Sequence, residues 1–437
     1  MLLSKLTWQA YSAFVAEPIA TPARFRALDP AGQRSAMSAH LLQMVRHFGR
    51  RADSLPEWRD AAGIVDPNEI WKIWPSLPIV TKSILNDRFE PVELQRRFKL
   101  KGRQNATGGS TGEPTRFFTD NAMLRVSRGA HLYSQVRMGW TPGMPTISVW
   151  GSDRDIGKQA SPLRKVAAYL YQHHMIPGFA ITDQDVEKVH RIILAEKSVA
   201  IYGYSSLLEF VAERTLAMGR TFEAGRVRVA WNGAEMLYDR QIELFKQAFG
   251  VPVLNRYGGR ELSVTACQEV EGGALRLIRP WVFAEIVNEA GQPAAPGEIG
   301  RLLLTSTASR GTPFIRYDIG DLAAYAEPDC DESGLSAIRT LHGRSAGSIR
   351  LQGGRVISCI YWNHLLKDFP EVRQFQVRLA RDGRISLLLA GEGFTTARSA
   401  HLTSVLKLVL REQEVTLQWV TSIPRTAQGK LAQVVQE

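Results

Sequence analysis

The stretch Ala106-Thr107-Gly108-Gly109-Ser110-Thr111-Gly112-Glu113-Pro114-Thr115 constrains this chain more than any other. Three glycines let the backbone approach a ligand closely, and the hydroxyls of Thr107, Ser110 and Thr111 beside free N–H groups suit the oxygens of a polyphosphate. The preceding Phe98-Lys99-Leu100-Lys101 alternates as a strand would and leads into the loop. The Gly-Lys-[Ser/Thr] end of a Walker A loop is missing. On composition alone the stretch reads equally well as a surface turn.

The surrounding pattern predicts an α/β protein. The first hundred residues read as helical and polar, with Trp74-Pro75-Ser76-Leu77-Pro78 introducing a short segment, Ile79-Val80-Thr81-Lys82. Val186, Val189, Ile192 and Ile193 share a helix face, with Thr182 as N-cap. Val227 to Trp231 and Val251 to Leu254 look like strand ends feeding loops. Strands alternating with helices argue for a mixed or parallel sheet rather than a sandwich.

The pattern changes after residue 343. From Arg344 to Glu437 there are thirteen Lys and Arg against seven Asp and Glu, so this last fifth carries +6 of a total net charge of +11. Gln374 to Leu379, Ile385 to Leu389 and Val415 to Val420 are strand-like, and Leu402, Val405, Leu406, Val409 and Leu410 line a helix face. The expectation is a large mixed-sheet domain over 1–343 and a small, mobile α+β domain over 344–437, joined near Ala346-Gly347-Ser348.

Composition excludes several classes. With 437 residues, 44% hydrophobic and 22% charged, the chain has ample length for a core and is not disorder-prone. Cys267, Cys330 and Cys359 are too few and too scattered for a disulfide framework or a zinc motif, which suits a reducing cytoplasm. Lys5, Trp8, Gln9 and Glu17 break the apolar N-terminal stretch, and no run of about 20 apolar residues follows, so neither a signal peptide nor a membrane helix is expected. The positive charge calls for a phosphate-bearing partner. No helix-turn-helix, zinc or RNA-recognition pattern accompanies it, so nucleic acid is not the expected one.

Five further segments carry chemistry when taken in order: Asn232-Gly233-Ala234-Glu235, Tyr257-Gly258-Gly259-Arg260-Glu261, Phe314-Ile315-Arg316-Tyr317-Asp318-Ile319-Gly320-Asp321-Leu322, Gly343-Arg344, and Ile423-Pro424-Arg425-Thr426-Ala427-Gln428-Gly429-Lys430. Each alone is weak, since a Tyr-Gly is commonly a turn and a late lysine is commonly solvated. In this order they resemble the adenylate-forming superfamily of acyl-CoA synthetases, and most closely its phenylacetate-CoA ligase branch with the CapK-like proteins. Leu77-Pro78-Ile79-Val80-Thr81-Lys82, Arg279-Pro280-Trp281, Gly300-Arg301-Leu302 and Phe369-Pro370-Glu371-Val372 extend the resemblance over most of the chain.

That resemblance implies a carboxylate attacking the α-phosphate of ATP to give acyl-AMP, followed by transfer to coenzyme A. Two anions must meet, so the site has to neutralise charge. By resemblance, Thr107, Gly108, Gly109, Ser110, Thr111 and Gly112 would hold the phosphates. Glu261 would help bind Mg²⁺, and Asp321 would accept the ribose hydroxyls with help from Arg344. Gly233, Ala234, Glu235, Tyr257 and Gly258 would frame the adenine. Lys430 would bridge carboxylate and α-phosphate as a point charge carried by the mobile domain, and Arg316 is counted with Lys430 and Glu261 in the catalytic set. Trp150, Tyr202, Tyr204 and Trp231 would line an acyl pocket suited to an aryl or arylacetic acid, although each is equally readable as core.

The motifs depart from the family pattern in three places. Gly343-Arg344-Ser345-Ala346-Gly347 lacks the acidic hinge pivot, Arg260 stands where Ser or Thr is usual, and Tyr361 replaces a common Glu. These leave the acceptor open between CoA and an amine, amino sugar or carrier protein. A catalytically degenerate nucleotide-binding protein, or a basic nucleic-acid binder, is the rival class. The oligomeric state is left between monomer and homodimer.

Overall fold

The computed structural model describes residues 19–106, 115–150, 172–177, 181–326, 337–344, 349–350, 356–357, 362, 366, 369, 371–391, 394–410, 414–421, 423 and 434–436. Helices come first. A 20-residue helix, α1 (Pro30–Gly49), is started by Asp29, whose side chain accepts from the Gly32 N–H, and by Pro30 at its first position. It buries Met37, Leu41, Leu42, Val45 and Phe48 in the largest core cluster. Two short helices follow, α2 (Lys82–Arg88), capped by Thr81, and α3 (Pro91–Phe98), capped by Glu90.

The strand expected over Phe98 to Lys101 is instead the end of α3 and its exit turn. Lys99 takes a left-handed conformation at φ 49° and its N–H closes on the Gln95 carbonyl, a helix stop that the two-residue alternation concealed. Strand β1 (Gly102–Ala106) begins immediately after and pairs antiparallel with β2 (Arg116–Asp120), so the two strands bracket the Gly-rich segment. Asp120 then caps α4 (Asn121–Arg137) by accepting from the Met123 N–H.

The centre is a five-stranded parallel sheet in the order β4-β3-β5-β6-β7, with β3 (Thr146–Trp150), β4 (His173–Pro177), β5 (Val199–Gly203), β6 (Val227–Asn232) and β7 (Val253–Leu254). Such strands are covered on their faces and read as continuous apolar runs. Ile147, Val149, Val199, Ile201, Val227 and Ala230 are all at most 1% exposed. Helices α5 (Asp183–Ala195), α6 (Ser205–Ala217) and α7 (Asp239–Phe249) connect the strands. Helix α5 starts as expected, with the Asp185 side chain reaching back to the Thr182 N–H at 3.1 Å. Its Val186, Val189 and Ile193 are fully buried.

Two antiparallel sheets follow, β8 (Arg256–Gly259), β9 (Ser263–Cys267) and β10 (Arg276–Leu277) in the order β10-β9-β8, and β11 (Val282–Val287), β12 (Gly300–Ser306), β13 (Tyr317–Tyr325) and β14 (Ile338–Arg344) in sequence order. Glu269, just past β9, ties three elements together. Its carboxylate accepts from Arg26 and from Arg137 at the end of α4 (Nη2 to Oε2, 2.6 Å). Burial works against the charged form, but the two arginines prevail and hold the Glu269 carboxyl at about 2. Cys267 is 2% exposed, and burial pushes its thiol up to about 12, so it is not a nucleophile. Cys330 and Cys359 lie outside the described residues.

Beyond a short pair, β15 (Ile349–Arg350) and β16 (Val356–Ile357), the C-terminal part forms a mixed sheet in the order β19-β18-β17-β20. It comprises β17 (Val372–Leu379), β18 (Ile385–Gly391), β19 (Val415–Trp419) and β20 (Val434–Gln436), with α8 (Thr396–Leu410) between β18 and β19. It has its own core of Phe375, Val377, Ile385, Leu387, Leu389, Leu402 and Leu406. The large mixed-sheet part and the smaller α+β part are therefore both present. The linking residues Ser345 to Ser348 lie outside the described residues.

Candidate active site

A cavity of about 590 Å³ opens where the parallel strands end. Trp150 closes β3, Tyr204 follows β5, and Gly233 and Ala234 follow β6, so one wall is made from consecutive carboxyl ends of the sheet, the usual place for ligands in open α/β sheets. The opposite wall is Arg256 to Arg260 with Ser263 and Val264, and β1 adds Arg103, Gln104 and Asn105.

Asn232 fixes the turn after β6. It is fully buried and donates to Ser205 Oγ and to the Glu235 carbonyl, both at 2.9 Å, while its Oδ1 accepts from the Arg256 N–H at 2.9 Å. One side chain thus sets both walls, with every polar atom satisfied. Ala234 stands at φ 66°, a conformation costly for any residue with a Cβ and typical of functional sites. Glu235 contributes a carbonyl to this turn and is not part of the wall.

Tyr257 joins the cavity to the second antiparallel sheet. Its phenol donates to Asp321 Oδ2 at 2.6 Å, short and strong as expected when the acceptor is ionised. Asp321 faces Arg344 directly in the β13–β14 register. Tyr257, Asp321 and Arg344, drawn from three distant segments, are therefore adjacent.

The aromatic expectation divides. Trp150, Tyr202 and Tyr204 line the cavity, with Trp150 4.9 Å from Tyr202 and 4.1 Å from Tyr204 between ring centroids. Trp231 does not reach the wall. It is fully buried behind Tyr202 at 5.9 Å and 23°, supporting the stack from the core side.

Arg316 is not part of this cavity. Its side chain is buried, and its guanidinium pairs with Glu285 (Nε to Oε1, 3.2 Å) and donates to the carbonyls of Pro75 and Leu77. Its own carbonyl accepts from the Val80 N–H. Arg316, expected in the catalytic set, here clamps the Leu77 to Lys82 segment against β13. Burial pushes the Glu285 carboxyl up to about 6, against the pull of Arg316.

Glu261 is 4% exposed and accepts from the Tyr317 phenol at 3.3 Å. Its neighbour Arg260 donates to the carbonyl of Ala106, the residue before Thr107. Among the described residues no cluster of three or more His, Cys, Asp or Glu forms a metal cage. Mg²⁺ takes one or two carboxylates with substrate phosphates and water, and Glu261 is the carboxylate that the expectation assigns to it. Thr107 to Gly112 and Lys430 lie outside the described residues, as does Tyr361.

Several wall residues had no motif to announce them. Arg256 is 5% exposed and lies 4.4 Å above the Tyr202 ring and 5.8 Å from that of Trp231. Burial pushes its pKa down, with Tyr202 acting in the other direction, yet a guanidinium does not shed its proton in proteins. Cation–π contacts offset about 2 kcal/mol when desolvated, less than the several kcal/mol a buried ion costs. His131 of α4 is open to the cavity but walled in by protein, and that enclosure, with Arg256 nearby, pushes its imidazole down to about 3. Ser127 donates to Ser263 Oγ at 2.7 Å, and Ser263 also sits at positive φ, 66°.

The comparisons with known proteins agree with this geometry. No family profile matches the chain. It is 24% identical over 252 residues to protein CapK of Staphylococcus aureus, a match covering 56% of this chain and 52% of CapK, about half the relative's length. It is 23% identical over 361 residues to phenylacetate-coenzyme A ligase of Thermus thermophilus, covering 80% of this chain and 79% of that one. In structure, it matches 2-hydroxyisobutyryl-CoA ligase, crystallised in the postadenylation state with an acyl-AMP, at TM-score 0.61 and 17% identity, over 93% of this chain and 90% of that one. These likenesses support a place in the adenylate-forming superfamily. The two curated relatives are the phenylacetate-CoA ligase and CapK that the motifs resemble, and the mixed α/β architecture expected from the motifs is the architecture observed. Another crystal form of the same CoA ligase, with acyl-AMP and CoA in the thioesterification state, matches at TM-score 0.58. At these identities the structural likeness establishes the fold. No described helix is long and apolar enough to cross a membrane.

Proposed function

We propose that this chain is an ATP-dependent ligase of the adenylate-forming superfamily that converts a carboxylic acid, an aryl or arylacetic acid first, into an acyl-adenylate and passes the acyl group to coenzyme A. The observation that carries the reading is the Tyr257–Asp321 hydrogen bond at 2.6 Å, beside a cavity whose other wall is Gly233 and Ala234. In this reading Asp321, which accepts from Tyr257, would also accept ribose hydroxyls, and the Gly233-Ala234 turn would border the purine. Trp150, stacked on Tyr202 and tilted against Tyr204, supplies with them an aromatic wall on which a ring would lie.

In this reading a carboxylate oxygen attacks the α-phosphorus and pyrophosphate leaves. The thiol then attacks the acyl carbon and AMP leaves. Lys430 and the Thr107 to Gly112 amides would offset charge in the first step. Glu261 would hold Mg²⁺, which supplies Lewis-acid neutralisation of the phosphates. Transfer to an amine, amino sugar or carrier protein is the second reading, favoured by Ser345-Ala346-Gly347 at the hinge position and by the likeness to CapK. The proposed setting is cytoplasmic, with a small-molecule acid as partner.

Acid-dependent exchange of labelled pyrophosphate into ATP tests adenylation. Absence of exchange across aryl, arylacetic and short acyl acids, with no ATP binding by calorimetry, would reject it. Mass identification of products with CoA, with amines, and with neither separates the two acceptors.

A further inference from the structure

The cavity carries a buried positive charge that ATP chemistry does not use. Arg256 is next to Tyr257 on β8, and consecutive strand residues send their side chains to opposite faces. Tyr257 turns toward Asp321, whereas Arg256 turns to Tyr202 on the aromatic wall of the cavity and to Trp231 behind it. Among the described residues no carboxylate pairs with its guanidinium. The groups near it are the Tyr202 ring and phenol, to which it also hydrogen-bonds, the Cys267 thiol and the imidazole of His131, which is neutral at physiological pH, with the Ser127–Ser263 hydroxyl pair elsewhere on the cavity wall. A permanent cation, enclosed and flanked by neutral hydrogen-bonding groups, is a receptor awaiting an anion.

We propose that the acid activated here carries a second anionic group, most simply a second carboxylate on an aromatic ring, and that Arg256 is the residue that selects it. The inference rests on the adenylation reading and deepens it. One carboxylate is directed to the nucleotide side of the cavity. The other pairs with Arg256, with the ring between them against Trp150 and Tyr202. Because His131 is neutral it adds a hydrogen bond without duplicating the charge, and the serine hydroxyls serve either oxygen. A plain arylacetic acid leaves the guanidinium buried without a counter-ion, and a site built around a polar partner discriminates strongly against a substrate that lacks one.

The test uses the full-length protein and three matched series: phenylacetate, its 2-, 3- and 4-carboxy derivatives, and the corresponding carbamoyl isosteres, which keep the shape and lose the charge. The readout is kcat/KM for pyrophosphate exchange. At least one carboxy isomer should exceed its carbamoyl counterpart by about 100-fold. Arg256→Met should reduce that ratio to within about threefold, and Arg256→Lys should keep about tenfold of it, a rescue by charge that a purely structural role would not give. If Arg256→Met does not fold, the wild-type ratio decides alone. Equal use of carboxy and carbamoyl acids, or a preference that survives Arg256→Met, overturns the inference and leaves adenylation standing. No exchange with any acid in the series overturns the inference, and adenylation falls with it only if aryl and short acyl acids also give no exchange and ATP does not bind by calorimetry.

Discussion

The Tyr257 phenol donates to Asp321 Oδ2 at 2.6 Å across 64 residues of sequence, joining a three-stranded and a four-stranded sheet at the rim of one cavity. A hydrogen bond to a charged group contributes roughly 1.5–3 kcal/mol. Tyr257→Phe is therefore expected to raise the KM for ATP about tenfold, and Asp321→Ala about 100-fold, in pyrophosphate exchange. Unchanged KM values in both variants would mean that the nucleoside is not held on this side.

Lys430→Ala separates the two half-reactions. Exchange should fall by about 100-fold or more, the usual loss for one charge-stabilising donor. Release of CoA thioester from a chemically prepared acyl-adenylate should stay within about threefold. Equal loss in both assays would assign the lysine a role in folding or in general binding.

Arg316→Met should destabilise without touching the chemistry. It leaves Glu285 buried alone and frees the carbonyls of Pro75 and Leu77, a loss of about 3–5 kcal/mol. The Glu285 carboxyl is already raised to about 6 by burial, against Arg316, and without that partner it rises further. A group with a raised folded pKa favours the fold below its unfolded value and ceases to do so as pH rises through the folded one. The deficit of the variant, read by urea titration, should therefore be smallest near pH 4.5 and grow toward pH 7. A flat deficit would show that Glu285 does not titrate in this range.

Glu269→Gln has the opposite pH signature. The carboxyl drops from 4.5 to about 2 in the fold, so its contribution is complete above about pH 4.5 and disappears as pH falls through 2. The shift corresponds to about 3 kcal/mol, reduced to about 1–2 by the solvent exposure of Arg26 and Arg137. Wild type and variant should differ by that amount at pH 7 in urea titration and converge near pH 2. A constant gap would assign the loss to packing.

The residues that the sequence made legible were those whose chemistry is local. A capping Thr182, the Val186, Val189 and Ile193 face, the Gly233-Ala234 turn and the Tyr257-Gly258 motif can be recognised without knowing what they face. What stayed hidden depends on long-range placement. Arg316 sits in a motif beside Tyr317, and only the fold shows its guanidinium turned inward to Pro75 and Leu77. Trp231 and Tyr202 are equivalent in composition, yet one backs the wall and the other is the wall. Arg256 was one basic residue among 54 until burial set it apart. Likewise, Phe98 to Lys101 alternates, but capping by Glu90 and Pro91 and the left-handed stop at Lys99 outweigh four alternating residues.

The glycines of the cavity decide how it can be reshaped. A methyl group on Gly258 would stand 2.3 Å from the Ser263 carbonyl oxygen, and one on Gly233 would press on the Tyr202 ring at 3.2 Å. Libraries aimed at new acids are best confined to Trp150, Tyr202, Tyr204, Ser127, His131 and Arg256. Substitution at Gly258 would force the β8–β9 backbones apart, and substitution at Gly233 would displace the Tyr202 ring.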